Sequence, residues 1–144
     1  GIDGGDEAVL LSTCNRTEFY VIAGDDGHDR LRDWLHSDRA LDPRFNESLF
    51  AKDGTEAIRH IFRVACGLDS QVLGEAQILG QLKSSWDNVK QTFSPSTYFE
   101  KLVQGAFRVA GQSRTNTHIG ALTQPNVFNE ARARRSPLRV RRRE

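Results

Sequence analysis

Cys14 is the residue of this sequence best equipped for covalent chemistry. It lies in Leu11-Ser12-Thr13-Cys14-Asn15-Arg16-Thr17-Glu18, among polar neighbours and two positions from a cation. A thiolate is a strong nucleophile when a nearby cation or backbone dipoles lower its pKa. On spacing alone, a small buried apolar residue at a strand end is the more economical account of Cys14. His60 is the second candidate, able to act as general acid or base. It stands two residues from both Ile58 and Phe62, which places it off their stripe, facing a cleft or solvent. Ser70, Glu75, Gln77 and Gln81 form a third group of hydrogen-bonding side chains around Gly74-Glu75-Ala76-Gln77-Ile78-Leu79-Gly80-Gln81. A carboxylate there could take an ammonium group and the amides a carboxylate or carbonyl, as an amino-acid ligand requires. A helix start with solvated side chains explains the same pattern. Cys66, between Ala65 and Gly67, reads as structural.

Other chemistries find little support. Two cysteines with no CxxC or HxxxH spacing do not make a metal site, and none is expected. Neither a GxGxxG nor a GxxxxGK[ST] motif is present, so the sequence carries no dinucleotide or P-loop fingerprint.

The elements that must hold these residues follow from periodicity. Val9–Leu11 and Glu18–Ala23 are rich in strand formers and flank the polar stretch with Cys14. Gly24-Asp25-Asp26-Gly27 is a turn, and Leu31, Trp34 and Leu35 recur at helical spacing over 28–36. Residues 38–46 read as loop and 48–52 as a short strand. A helix starts at Asp53-Gly54-Thr55-Glu56, buries Ile58, Ile61, Phe62 and Ala65, and stops at Gly67. Leu79, Leu82, Trp86 and Val89 share another helical face. Ser94-Pro95-Ser96 breaks the chain before a helix over about 97–115, with Phe99, Leu102, Val103, Ala106 and Ala110 as its stripe. Strands first and helices after predict an α+β fold.

The chain has 144 residues, enough for one domain with a real core. Its net charge of +1 conceals a division: residues 1–100 hold 10 Lys and Arg against 17 Asp and Glu, and residues 101–144 hold 10 against 2. The acidic part is not built for nonspecific nucleic-acid binding, whereas the basic end could touch phosphate. Residues 121–144 contain two prolines and seven nearly unopposed arginines, with no apolar periodicity, and predict a disordered or poorly packed basic tail. No apolar run approaches the ~20 residues of a membrane span, and no basic, apolar signal segment opens the sequence. With two cysteines and no disulfide framework, a reducing, cytoplasmic setting is expected.

Two segments change the weight of these candidates. Leu11–Glu18 resembles the catalytic-cysteine motif of the glutamyl-tRNA reductases. Arg59-His60-Ile61-Phe62-Arg63-Val64-Ala65-Cys66-Gly67-Leu68-Asp69-Ser70-Gln71-Val72-Leu73-Gly74-Glu75-Ala76-Gln77-Ile78-Leu79-Gly80-Gln81-Leu82-Lys83 is similar to that family's second signature. Ala106–Ala110 and Arg114–Gly120 fit more loosely, so the resemblance covers about residues 8–120.

The resemblance implies a catalytic, substrate-binding domain over 1–120, with a ferredoxin-like sheet, helices and a helical subdomain. It implies NADPH-dependent reduction of glutamyl-tRNA to glutamate-1-semialdehyde through a Cys14 thioester, the first step of five-carbon tetrapyrrole synthesis. Thr13, Asn15 and Arg16 match the stretch lining the glutamate pocket, and Arg16 suits a bidentate pairing with the substrate's side-chain carboxylate. Ser70, Glu75, Ala76, Gln77 and Gln81 match further substrate-contacting positions, and His60 matches a histidine important for activity. The implied partners are glutamyl-tRNA, the aminomutase acting next and a second copy of the chain.

Departures from the family pattern shape the expectation. Ala76 stands where proline is common. The family's opening strand and helix, its NADPH-binding domain and its dimerising helical domain have no counterpart in these residues. The chain alone is therefore expected to reach no further than forming and hydrolysing the thioester. A non-catalytic tRNA-binding fragment is the alternative.

Overall fold

The computed structural model describes residues 6–13, 16–37, 42, 44, 48–69, 76–116 and 136–142; Ala76, Asn116 and 136–142 are described as backbone only. The chain divides into two compact units, 1–57 with 133–144 and 58–132. The class is α+β, as the order of strands and helices predicts.

The first unit is built on a four-stranded antiparallel sheet. Its strands are β1 (Glu7–Ser12), β2 (Thr17–Ala23), β3 (Leu49–Lys52) and β4 (Ser136–Arg142), in the order β1-β2-β4-β3. Residues two apart share a face. Ala8, Phe19, Val21 and Ala23 line one face with helix α1 (Gly27–Ser37), whose Leu31, Trp34 and Leu35 complete a small apolar core with Leu49. Phe19 and Trp34 meet edge to face at 6.0 Å. Gly27 allows the helix to start this close to the strand, because a Cβ there would stand 2.5 Å from that of Ala23. Arg30 fastens α1 at that end, with Nη2 donating to Asp6 at 2.6 and 2.7 Å and Nη1 to Asp26 at 2.5 Å.

β4 departs from the expected basic tail. Residues 136–142 form an interior strand, with Val21 opposite Leu138, Phe19 opposite Val140 and Ala51 opposite Val140 across the two ladders. Leu138 and Val140 alternate with Arg139 and Arg141, the two-residue period of a strand. This corrects the expectation that no apolar periodicity survives there: the arginine density disguises the alternation. The rest of 121–144 lies outside the described residues.

The second unit is helical. Helix α2 (Gly54–Ala65) crosses the boundary between the units, followed by α3 (Ala76–Thr92) and α4 (Thr97–Asn116). Of the expected stripes, Leu79, Leu82 and Trp86 on α3 and Phe99, Leu102, Val103, Ala106 and Ala110 on α4 are buried, whereas Val89 is only partly so and Ile78 joins the α3 face. Trp86 and Phe99 pack edge to face at 5.1 Å. Ser96 caps α4, its Oγ accepting from the Phe99 N–H at 3.3 Å. Gly105 lets α2 approach α4, since a Cβ there would lie 3.3 Å from Phe62 Cζ. No helix of the described residues is long and apolar enough to cross a membrane.

Candidate functional site

In the sheet unit, the polar stretch predicted between two strands is the connection of the β1–β2 hairpin. It is closed by the Thr13 N–H donating to the Arg16 carbonyl at 2.8 Å. Cys14 and Asn15 lie outside the described residues. Arg16, Glu18 and Tyr20 then follow at the two-residue period of β2, which puts them on the face opposite the α1 core. All three are buried, Glu18 completely. Arg16 Nη1 lies 3.2 Å from Glu18 Oε1, and the Tyr20 hydroxyl donates to Glu18 Oε2. A carboxylate removed from water needs such partners, because an uncompensated buried charge costs several kcal/mol. The row thus holds Arg16 in a defined place beside the segment that carries Cys14.

The sequence reading named Arg16 and missed Glu18 and Tyr20. The signal was available: polar groups at 16, 18 and 20 alternate with Phe19 and Val21, so a half-buried strand must bury one set or the other.

In the helical unit, His60 is only 5% exposed, which corrects the expectation that it faces away from the buried side of its helix. The buried stripe of α2 is wider than Ile58, Ile61 and Ala65. Ala57 and Val64 are buried as well, and they bracket His60 at three and four residues. Phe62 is only partly buried. Beyond α2 the chain reverses at Gly67, with φ of 73°. The Gly67 N–H donates to the Val64 carbonyl at 3.0 Å and the Leu68 N–H to that of Arg63 at 2.9 Å, the paired bonds of a Schellman cap. This reversal returns Asp69 to His60, with Oδ2 at 3.6 Å from Nδ1. Asp69 is another residue the sequence reading passed over.

Of the third group of candidates, Gln77 and Gln81 stand one turn apart on α3, both exposed. They share a face opposite the buried Ile78, Leu79 and Leu82. Ala76 is the first residue of α3, a position that also suits proline. Ser70 and Glu75 lie outside the described residues. Cys66 is half-buried; burial pushes its thiol up, against a hydrogen bond from Ser113 and the charge of Arg114. A thiol so placed favours the inert protonated form. A small cleft of about 50 Å³ in the sheet unit is lined by none of these residues but by His28, Arg32, Leu35, Leu49, Phe50 and Ala51.

Comparison with known proteins places these segments in context. A family model described as Glutamyl-tRNAGlu reductase, N-terminal domain, matches residues 1–117. The chain is 46% identical over 116 residues to a glutamyl-tRNA reductase of Pseudoalteromonas translucida, covering 80% of this chain and 28% of that protein. It is 48% identical over 115 residues to one of Stenotrophomonas maltophilia and 46% identical over 116 residues to one of Alkalilimnicola ehrlichii, in each case 80% of this chain and 26% of the relative. The chain therefore spans about a quarter of the length of the curated relatives it matches. No solved structure matches it at a significant level.

Proposed function

This chain belongs to the glutamyl-tRNA reductase N-terminal domain family, and from that membership we propose that it binds the glutamyl end of glutamyl-tRNA and forms a thioester with it at Cys14. The observation that carries the reading is the family match over 1–117, which contains both motif segments. In the proposed step the Cys14 thiolate attacks the ester carbonyl and a tetrahedral oxyanion forms. Its collapse breaks the ester bond, and the 3′ oxygen of the tRNA leaves with a proton. The covalent step divides a hard acyl transfer into two easier ones. Water then cleaves the thioester, giving free glutamate and the thiol.

Thr13, Asn15, Arg16, Ser70, Glu75, Ala76, Gln77 and Gln81 are the proposed substrate contacts, and His60 the proposed proton-handling group. Arg16 takes the substrate's side-chain carboxylate in this reading. A guanidinium carries five donors in a rigid fork, so it can serve an internal carboxylate and a ligand carboxylate together. The buried Glu18 supports this role by fixing the guanidinium before substrate arrives.

NADPH is the reductant the family implies. The described residues form an antiparallel sheet and a set of helices, without the parallel βαβ unit and glycine-rich turn that cradle a dinucleotide's pyrophosphate. They do not fit that cofactor, and no step of this chain is routed through it. Reduction to glutamate-1-semialdehyde, the homodimer and hand-over to an aminomutase belong, in this proposal, to the longer protein that the relatives represent.

The alternative of a non-catalytic tRNA-binding fragment draws on the arginines of 121–144. Those of 136–142 sit in a strand paired on both sides, which weakens the idea of a loose basic arm. Release of glutamate from glutamyl-tRNA, without NADPH, decides between the two. The parent chain is expected to release it above background hydrolysis and Cys14→Ser to fall at least about 100-fold, towards background. Equal release by both proteins overturns the thioester reading.

A further inference from the structure

The pairing of His60 with Asp69 carries an inference that rests on, and deepens, the proposed role of His60. Continued as helix, residue 69 would lie about 13 Å beyond residue 60 along the axis. The Schellman turn at Gly67 instead folds the chain back, bringing a carboxylate to 3.6 Å from a histidine that is 5% exposed. The contact is to Nδ1, not Nε2. That choice has a chemical consequence. A neutral imidazole carries one N–H, and the partner of one nitrogen decides which nitrogen holds the proton. Free imidazole side chains favour the proton on Nε2, whereas a carboxylate facing Nδ1 holds it there and leaves the basic lone pair on Nε2. The separation is longer than a formed hydrogen bond, as is common for catalytic contacts before substrate binds.

We propose that Asp69 is a positioning residue that locks His60 in the Nδ1–H tautomer, so that Nε2 is the nitrogen that takes up and returns the proton in the thioester chemistry. Asp69 touches neither substrate nor reacting atoms in this proposal. It acts through His60, as a carboxylate behind a catalytic imidazole does in hydrolases of unrelated fold. The Gly67 turn is then part of the site, because it returns residue 69 to the helix.

The test uses the full chain labelled with ¹⁵N. Long-range ¹H–¹⁵N spectra above pH 8 report which imidazole nitrogen carries the proton, and His60→Gln identifies the His60 signals among those of His28, His36 and His118. The parent is expected to show His60 protonated on Nδ1, and Asp69→Ala to move the proton to Nε2. His60 protonated on Nε2 in the parent, or the same pattern in both proteins, overturns the proposal. Should Asp69→Ala lose its cooperative melt, the isosteric Asp69→Asn serves: its neutral amide should leave a mixture of tautomers, and a pure Nδ1–H pattern there overturns the proposal too. The tautomer is read whether or not the chain releases glutamate, so failure of the thioester reading and failure of this one are told apart. Where glutamate is released, Asp69→Ala should lower kcat at least about tenfold with KM held within about twofold. Unchanged kcat with an altered tautomer overturns the positioning role.

Discussion

Glu18 and His60 are both ionisable, both almost wholly withdrawn from water, and held in different ways. Glu18 is served by its own strand: Arg16 and Tyr20 sit two residues to either side on one face of β2. His60 is served by a residue nine positions away, brought back by a reversal that depends on a left-handed glycine. The first arrangement follows from strand periodicity and holds wherever β2 holds. The second is a property of a turn, and the turn can be altered while the helix remains. The sheet unit should therefore protest most at loss of a charge, and the helical unit at loss of backbone freedom.

Replacing Glu18 is the strongest test of that contrast. Glu18→Ala leaves the Arg16 guanidinium without the carboxylate it faces and should cost about 3–5 kcal/mol. Urea unfolding followed by circular dichroism measures it, and a cost below about 1 kcal/mol would show that the row is not a buried charge pair. A proline at Val140 tests the other peculiarity of the sheet unit, its interior strand from a distant part of the sequence. Val140 lies opposite residues of both β2 and β3, and proline there removes a ladder donor and costs about 3 kcal/mol or more. If Val140→Pro melts like the parent, the β4 pairing does not hold the sheet together.

The corresponding change in the helical unit is smaller. Gly67→Ala forces a Cβ into a conformation with φ of 73°, at about 1–2 kcal/mol. Its effect on His60 should exceed its effect on stability, since a loosened reversal lets Asp69 drift from Nδ1. A Gly67→Ala chain with full stability loss and an unchanged His60 tautomer would mean that the turn supports the helix end alone.

These differences follow what could be read in the sequence. The four helices are legible because each buries an apolar stripe at helical spacing, and β1 and β2 because strand formers flank a polar turn. β4 is not, since its two-residue alternation of Leu138 and Val140 with arginines is concealed in a charge run. The pattern of large apolar residues puts His60 on the wrong side of α2, because bulky Phe62 is only partly buried while the small Ala57 is fully so. Glu18 and Asp69 were passed over for a shared reason: neither is a nucleophile or base in its own right, and their value lies in the neighbour each one holds. Such partners emerge only when strand register and turn geometry fix who meets whom. Cys14, Asn15, Ser70 and Glu75 rest on motif resemblance, outside the described residues.

The smallest expected effect sharpens the comparison from the alkaline side. In the helical unit, burial pushes the Cys66 thiol up, with Ser113 and Arg114 opposing it, and burial alone pushes up the Tyr98 phenol. For an acid whose folded pKa is raised, the folded state favours the neutral form. Its contribution is then fully present below the unfolded pKa and is lost as pH rises through the folded one. Stability should thus hold up to about pH 8, then decline as first the thiol and then the phenol reach their ordinary ranges near 8.5 and 10. Both residues are only partly buried, so the decline should be shallow. Cys66→Ala should flatten its lower part and Tyr98→Phe its upper part, as denaturant midpoints between pH 7 and 10.5 would show. Variants whose midpoints fall with pH as steeply as the parent's would place the alkaline sensitivity outside these two side chains.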